Sequence, residues 1–402
     1  MADFYQTGVI TTLHRLGDLR IEALEADLVE FAKDRPLTLI IPALATEMDR
    51  PALQGIVRAL REVPYLYRLV IGLDAAGRPE FDRARRFFRD LPYRTDVLWR
   101  DGNRIQQLYH RLESAQIFTG TPGKGRIVWL ALGCVLGDPN SRTIATHDAD
   151  IVTYRREMLA RLVYPVMNPF MGYEYAKGYY ARVTDRMYGR VSRLFVTPLI
   201  RTLLKFVGYH PYLVFLDSFR YPLAGEFAMD EDLARVMRVP SDWGLEVGLL
   251  AEVHRNLATR RVCEVDIADA YEHKHKTLTA DWPSSGLFKM AVDIAKSLFT
   301  TLAQEGIEIS EGLFRSVRGS YLRMAQDQVR RYADDAAINL LQFDRHEEGT
   351  AVELFAKAIE VAAREVYDDP LGSETMPQWA RVTSALPDIL DELAAAVAAD
   401  NA

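Results

Sequence analysis

Cysteine is scarce in this sequence, and long apolar runs are missing from it. Its two cysteines, Cys134 and Cys263, are too few for a disulfide framework or a four-cysteine zinc site, so a reducing compartment is expected. The most apolar stretches, Leu37–Ala45 and Ile127–Gly137, are far shorter than the roughly 20 residues of a membrane-spanning helix. Residues 1–13 have no basic start followed by an apolar run, so no signal peptide is evident. We therefore predict a soluble cytoplasmic protein in which the two apolar stretches are a buried strand and a buried helix.

An excess of positive charge is also missing. Lysine and arginine number 49 against 56 aspartates and glutamates, a formal net charge of −7. Bulk charge therefore does not favour binding to nucleic acid. The 402 residues are 49% hydrophobic, which allows a large core. At about 100–200 residues per domain, this length predicts two or three domains.

Short apolar strands alternate with helical segments between residues 36 and 150, as is typical of a parallel α/β sheet. The predicted strands are Pro36–Ile41, Tyr67–Leu73, Tyr93–Trp99 and Thr143–Thr146, and the predicted helices are Ala52–Leu60, Pro79–Phe88, Asn103–Leu112 and Lys124–Val135. Polar segments follow three of the strands, at Pro42–Glu47, Asp74–Arg78 and Asp148–Asp150. Ligands gather at the carboxyl ends of such strands, so we expect the binding cleft there.

The rest of the chain does not show this alternation of strands and helices. Residues 1–35 are a lead-in that is helical at Leu19–Phe31, and residues 151–283 are irregular and rich in aromatic residues and arginines. Residues 284–402 are a helical extension with predicted helices at Leu287–Gln304, Glu311–Tyr332, Glu348–Tyr367 and Leu386–Ala399. The last of these helices is rich in alanine and acidic, which favours a packing or oligomerisation element over a site.

Two segments have the composition of ligand-binding loops. Asp148-Ala149-Asp150 ends a predicted strand, and two carboxylates two residues apart can share a divalent ion whose other ligands are waters and phosphate oxygens. Acidic pairs also cap ordinary turns. Gly120–Arg126 precedes a predicted helix and contains Lys124, which suits an anion cradle. The alternative is a helix-entry turn with a solvated lysine.

Further charged groups could belong to the cleft. Residues 171–220 hold eight basic side chains against three acidic ones, so they could attract an acidic substrate or form a solvated helix face. Glu226 and Glu246 stand in apolar runs near glycines, where a carboxylate is either functional or firmly paired. Glu246 and Trp243 could face a sugar. His273 and His275 could hold a metal, although a lone histidine is more often structural.

In their order along the chain, these segments resemble the glucosyl-3-phosphoglycerate synthases, which are retaining glycosyltransferases of family 81 with a GT-A fold. The resemblance covers roughly residues 36–280. Its motifs are Pro42-Ala43-Leu44, Pro122–Gly125, Asp148-Ala149-Asp150, Gly189–Ser192, Pro222–Glu226, Gly244–Leu250 and His273. It implies a Rossmann-like, mostly parallel sheet flanked by helices, followed here by the helical C-terminal extension.

The resemblance also implies roles for particular residues. Asp150 and His273 would hold a divalent ion, Mg²⁺ or else Mn²⁺ or Co²⁺, and Glu246 and Asp150 would be the catalytic residues. Gly189, Arg190, Ser192 and His275 would bind the acceptor, although the family has threonine where Ser192 stands and asparagine where His275 stands. The nucleotide sugar would contact Pro42, Ala43, Leu44, Glu47, Asp74, Lys124, Asp148, Ala149 and Trp243.

The implied reaction moves glucose from a nucleotide donor, UDP-glucose, to the 2-hydroxyl of 3-phosphoglycerate, on the way to the compatible solute glucosylglycerate. Three alternatives stay open at this stage. They are mannosyl transfer from GDP-mannose, a magnesium-dependent nucleotidyltransferase, and a nucleotide-sugar-binding protein without catalysis. The family resemblance and the helix content also suggest a homodimer.

Overall fold

The computed structural model describes residues 6, 8–17, 20–272, 286–308, 310–370 and 375–402. The strands in these ranges are β1 Thr11–Leu13, β2 Leu37–Leu44, β3 Leu66–Asp74, β4 Arg94–Trp99, β5 Thr143–Thr146, β6 Tyr175–Tyr180, β7 Phe227–Asp230, β8 Val239–Pro240, β9 Val262–Ala268 and β10 Thr375–Met376. The helices are α1 Ile21–Phe31, α2 Pro51–Leu60, α3 Arg78–Phe88, α4 Asn103–Ser114, α5 Lys124–Leu136, α6 Arg156–Met167, α7 Thr197–Val207, α8 Pro211–Asp217, α9 Glu231–Val236, α10 Leu245–Asn256, α11 Gly286–Gln304, α12 Glu311–Ile338, α13 Arg345–Asp368, α14 Trp379–Ala385 and α15 Ile389–Asn401. A π-helical segment, Val191–Val196, precedes α7.

One mostly parallel sheet of eight strands organises the molecule, in the order β1-β9-β6-β7-β5-β2-β3-β4. Only β7 among these strands runs antiparallel to its neighbours, β5 and β6. The four strands predicted from the sequence are β2, β3, β4 and β5, and they form one half of the sheet. The predicted α/β class is therefore confirmed.

Helices cover both faces of this sheet. Ile40 belongs to the core on the face covered by α4 and α5, whereas Leu39 and Ile41 belong to the core on the face covered by α2, α3 and α6. Successive strand residues point to opposite faces, so a strand covered on both faces is apolar throughout. The two apolar stretches of the sequence are accordingly the buried strand β2 and the buried helix α5.

The chain after Asp150 is more regular than its sequence indicates, because β6, β7 and β9 lie there and β1 of the lead-in pairs with β9. Buried charges interrupt the apolar pattern of these strands. Lys177 on β6 is 1% exposed and donates a hydrogen bond to the Ala224 carbonyl at 2.8 Å. Glu264 on β9, also 1% exposed, accepts one from the Thr12 hydroxyl. Because their partners are distant in sequence, no local pattern indicates that these residues are buried.

The C-terminal helices differ from the prediction at several boundaries, and α12 for example continues to Ile338 instead of ending at Tyr332. Helix α13 begins at Arg345 instead of Glu348, because the Asp344 side chain caps it by accepting hydrogen bonds from the His346 and Glu347 amides. The predicted helix Leu386–Ala399 is wrong at its start, since α14 ends at Ala385 and α15 begins at Ile389. Pro387 lies in this break, where its missing N–H and its ring disfavour a continuous helix.

The helical extension packs against the helices around the sheet and against strand β4. Helices α11, α12 and α13 pack together, and the Tyr321 hydroxyl of α12 donates to the Leu194 carbonyl of the π-helical segment at 2.8 Å. Helix α15 packs against α4, α5 and β4. Its Asn401 side chain accepts from the Val97 amide and donates to the Val97 carbonyl, which covers the free edge of β4. In the described part of the chain, no helix is both long enough and apolar enough to cross a membrane.

Candidate active site

A cleft of about 790 Å³ lies at the carboxyl ends of β2, β3 and β5, where the sequence predicts it. It brings together fourteen of the predicted site residues. They are Pro42, Ala43, Leu44, Glu47, Asp74, Lys124, Asp148, Ala149, Asp150, Gly189, Arg190, Ser192, Trp243 and Glu246. His273 and His275, the remaining two, lie outside the described residues.

Lys124 joins two of the predicted acidic groups. Its Nζ lies 2.8 Å from Asp148 Oδ1 and 3.0 Å from Glu246 Oε1. Burial by itself would lower the pKa of Lys124, but these two carboxylates outweigh it and raise the pKa above its ordinary value. Lys124 is therefore a charged ammonium group at neutral pH and not a solvated lysine of a helix-entry turn.

The backbone around Lys124 depends on a glycine. Gly125 is the second residue of α5, and a Cβ built on it would lie 2.1 Å from the Pro240 carbonyl oxygen of β8. A side chain at this position would push the first turn of α5 away from β8. The glycine-rich composition of this loop thus serves close backbone packing that sets the position of Lys124 at the cleft.

Asp148 and Asp150 concentrate negative charge at the end of β5. Burial, followed by the charge of the nearby Asp148 carboxylate, raises the pKa of Asp150 to about 6, against the effect of Lys124. A divalent cation would relieve this repulsion. Among the described residues no three His, Cys, Asp or Glu side chains converge as a metal site. Two neighbouring carboxylates fit an ion of the magnesium type, which takes one or two carboxylates and completes its coordination with phosphate oxygens and water.

Glu226 lies beneath this acidic pair and is firmly paired. It is fully buried, and it accepts hydrogen bonds from the Tyr180 hydroxyl at 2.7 Å and the Tyr271 hydroxyl at 2.8 Å. Burial, followed by the charge of Asp148, raises the pKa of Glu226 well above its usual range, although the two tyrosine hydrogen bonds act in the opposite direction. Glu226 supports the loop that carries Asp148 and does not line the cleft.

Positive charge enters the cleft from residues 182–190. Arg182, Arg186 and Arg190 line the cleft, and they are three of the eight basic residues that the sequence allowed either in the cleft or on a solvated helix face. Arg182 Nη1 donates to the Tyr221 hydroxyl at 2.9 Å. Arg190 lies one residue after Gly189, whose φ of +75° favours glycine. Lys177 is buried in the sheet instead, where desolvation lowers its pKa to about 8.

The residues predicted for the nucleotide sugar lie at the ends of neighbouring strands. Pro42 to Leu44 complete β2, and Asp74 completes β3. The Asp74 carboxylate is ion-paired with Arg100, at 2.6 Å from Oδ1 to Nη1. Trp243 is 39% exposed and precedes α10, on which Glu246 stands. An aromatic face and a carboxylate therefore both border the cleft, which suits a sugar ring.

Comparison with known proteins assigns the chain to a family. A glucosyl-3-phosphoglycerate synthase of Persephonella marina is 46% identical over 401 residues, covering 100% of this chain and 99% of the relative. The synthase of Methanococcoides burtonii is 42% identical and covers 99% and 98%. The chain belongs to the glucosyl-3-phosphoglycerate synthase family. The predicted enzyme class, a glycosyltransferase, is confirmed by this membership. No family model matches the sequence.

Solved structures of the family share the fold. The Mycobacterium tuberculosis synthase, solved with Mn²⁺, UDP-glucose and phosphoglyceric acid, superposes with a TM-score of 0.54 at 20% identity. The match covers 73% of this chain and 87% of that one. A second structure of that enzyme, with Mg²⁺ and UDP, matches equally well. The GT-A type of sheet, flanked by helices and followed by a helical C-terminal region, is thereby confirmed.

Some residues that line the cleft escaped prediction. Tyr180 and Tyr221 border it beside Arg182, and Leu287, Met290 and Glu347 reach it from the helical extension. No sequence signal marks them. Glu347, for example, stands in the first turn of α13, where acidic residues are common because they complement the helix dipole.

Gly225 is a close neighbour of Asp148, and replacing it tests the placement of that carboxylate. A Cβ at Gly225 would lie 2.6 Å from Asp148 Oδ2, so Gly225→Ala must displace the side chain. We expect kcat/KM to fall about a hundredfold, the cost of an ångström-scale misplacement of a group that positions the substrate. The control is Gly319→Ala on α12, where no atom lies within 4 Å of the added Cβ. Equal activity of the two variants would contradict a role for Asp148.

Proposed function

We propose that this chain transfers the glucosyl group of UDP-glucose to the 2-hydroxyl of 3-phosphoglycerate, with retention of configuration at the sugar's C1. The observation that carries the proposal is the division of charge within this cleft. Asp148 and Asp150 suit a metal-bound diphosphate, and the arginines of residues 182–190 suit an acidic acceptor. The names of the full-length relatives and the ligands of the solved family members support these substrates.

A divalent ion, Mg²⁺ or Mn²⁺, would be held by Asp150 with Asp148 beside it, and by His273 from outside the described residues. When bound, such an ion supplies Lewis-acid stabilisation of a departing diphosphate. Lys124 adds a fixed positive charge at the same end of the cleft. Its ion pairs with Asp148 and Glu246 hold the ammonium group in position before the substrate arrives, which lowers the cost of reorganisation.

The transfer forms a bond from the acceptor's 2-oxygen to C1 of glucose and breaks the bond from C1 to the UDP oxygen. The acceptor approaches on the face from which UDP departs, and the hydroxyl proton passes to an oxygen of the leaving diphosphate. No covalent bond to the protein is needed. Glu246, held by Lys124 at 3.0 Å, orients the sugar hydroxyls and the acceptor instead of acting as a nucleophile.

The proposed reaction can be tested by its products. The purified chain is incubated with Mg²⁺ or Mn²⁺, a panel of nucleotide sugars, and either 3-phosphoglycerate or glycerate. We expect UDP release with UDP-glucose and 3-phosphoglycerate, and an α-linked product by NMR. GDP release from GDP-mannose would show that the transferred sugar is mannose and not glucose. Pyrophosphate release would indicate a nucleotidyltransferase. No release from any pair would contradict the proposal, and a β-linked product would contradict retention.

Replacing Arg190 tests the acceptor site. With Arg190→Gln we expect the KM for 3-phosphoglycerate to rise about 10- to 100-fold, because a charge-assisted hydrogen bond contributes roughly 1.5–3 kcal/mol. The KM for UDP-glucose should stay the same. Arg201→Gln is the control, because Arg201 is an exposed arginine paired with Asp217 and does not line the cleft. An unchanged acceptor KM would remove Arg190 from the acceptor site.

Three further predictions belong to this proposed function. They are the acceptor-binding roles of Gly189 and Ser192, the division of the chain at residues 35, 150 and 283, and the homodimer. These remain proposals. Gel filtration with light scattering determines the oligomeric state, and a monomer would contradict the homodimer.

A further inference from the structure

Glu347 brings a negative charge to the basic side of the cleft. It stands in the first turn of α13, in the helical extension, and lines the cleft with a side chain that is 47% exposed. Its Oε1 lies 2.9 Å from Nη2 of Arg190. The Asp344 side chain caps α13 and accepts a hydrogen bond from the Glu347 amide, which sets the start of the helix at this point.

The neighbouring glutamate makes a different kind of contact with the same arginine. Glu348 is 5% exposed at its side chain, and its Oε1 accepts a hydrogen bond from Arg190 Nε at 2.6 Å. Its Oε2 also accepts from Arg193 Nη2 at 3.1 Å. Glu348 therefore fixes the guanidinium group from the buried side. Glu347 pairs with Nη2 of the same group, and the side chains of Arg190 and Glu347 both line the cleft.

This geometry makes Glu347 a competitor of an incoming anion. A phosphate group that binds Arg190 from the cleft needs the Nη donors, and Glu347 already pairs with one of them. The phosphate must either displace the Glu347 carboxylate or bind beside it against like-charge repulsion. Because the Glu347 side chain is half exposed, displacement into water costs little, while Glu348, which is also paired with Arg193, keeps Arg190 in place.

We propose that Glu347 is a specificity-determining residue, which competes with the acceptor's phosphate for Arg190 and so sets the affinity for phosphorylated acceptors. The inference rests on the proposed function, in which Arg190 binds that phosphate. An acceptor without a phosphate leaves the pair of Arg190 and Glu347 intact, so its binding does not depend on Glu347. A residue of the helical extension thereby affects acceptor binding in the cleft at the edge of the sheet.

The experiment is Glu347→Gln with kinetics for both substrates. Glutamine has the same shape and suits the first turn of a helix, so the fold is retained. We expect the KM for 3-phosphoglycerate to fall about two- to fivefold, which is the scale of a partly exposed ion pair. Inorganic phosphate should become a stronger competitive inhibitor by a similar factor. The kcat and the KM for UDP-glucose should not change.

Two controls separate this effect from a general change of charge. Glu353→Gln removes the same charge from an exposed position six residues along α13 that does not line the cleft. Free glycerate serves as a competitor without a phosphate, and its inhibition constant should be the same for the parent protein and Glu347→Gln. An unchanged or increased KM for 3-phosphoglycerate would overturn the proposal. An equal decrease in the inhibition constant of glycerate would overturn it as well.

The outcomes also distinguish this inference from the proposed function. If the parent protein does not turn over 3-phosphoglycerate, the proposed function fails and the inference fails with it. If the parent protein does so and Glu347→Gln has the parent's acceptor KM, only the inference fails. The Arg190→Gln variant identifies the site independently, because its KM should change in the opposite direction from that of Glu347→Gln.

Discussion

Replacing Asp150 with asparagine is expected to lower kcat/KM at least about a thousandfold, equivalent to roughly 4 kcal/mol of transition-state stabilisation. The carboxylate stands at the end of β5 next to Asp148, at the point where we propose that the metal-bound diphosphate departs. Asparagine keeps the shape of the side chain but removes the charge that attracts the cation. The loss should therefore fall on metal binding and turnover together.

Stability should behave differently from activity in this variant. Burial and the charge of Asp148 raise the pKa of Asp150 to about 6, so at neutral pH the carboxylate is mostly ionised, but its charge is less favourable in the fold than in the unfolded chain. Removing that charge relieves the desolvation cost and the repulsion with Asp148, which outweigh the lost attraction to Lys124. We expect an unchanged or slightly higher Tm without metal, and a loss of the stabilisation that Mn²⁺ with UDP gives the parent protein.

The measurements for Asp150→Asn are steady-state kinetics, and calorimetric titration with Mn²⁺ in the presence of UDP. Asp90→Asn is the matched control, because Asp90 is exposed and lies away from the cleft. Retention of more than a tenth of the parent activity, or an unchanged affinity for Mn²⁺, would exclude Asp150 as a metal ligand.

Truncating Trp379 is expected to have the largest effect on stability. Trp379 is 1% exposed and stacks on Trp129 of α5, with ring centroids 4.5 Å apart. Its indole N–H donates to the Trp129 carbonyl at 2.9 Å, and the Trp129 indole donates to the Pro377 carbonyl at 2.8 Å. Gly133 leaves room for the ring, since a Cβ there would lie 2.1 Å from it.

Trp379→Ala leaves a large cavity between the extension and α5, and it removes the indole donor. We expect the free energy of unfolding to fall by about 3–5 kcal/mol, the usual cost of truncating a buried tryptophan. Urea unfolding followed by circular dichroism measures the change. Trp379→Phe should show a smaller loss, and Phe170→Ala, which truncates a side chain that is 90% exposed, should show almost none. A loss below 1 kcal/mol in Trp379→Ala would show that this contact does not anchor the C-terminal segment.

Local patterns predicted much of the site because its loops follow their strands directly. Asp148 and Asp150 come immediately after β5, and parallel strands bring their carboxyl ends to one edge of the sheet. A strand and its polar end are adjacent in sequence, so the alternation of elements is enough to place them. The positions of the basic side chains in residues 171–220 were harder to predict. Composition cannot distinguish Arg190, which lines the cleft, from Lys177, which is buried.

The sequence by itself determined the strands β2 to β5, the buried helix α5 and the polar segments around them, because hydrophobic runs and turns are local properties of a chain. It also carried the ordered motifs of the family. Only the tertiary structure decided that β1, β6, β7 and β9 complete the sheet and that the helical extension reaches the cleft. Arg190 and Glu348 are 158 residues apart, and their contact depends on how the helices pack. Packing over such separations leaves no periodic signal in the sequence, so the charge that Glu347 adds beside Arg190 becomes apparent only in the folded chain.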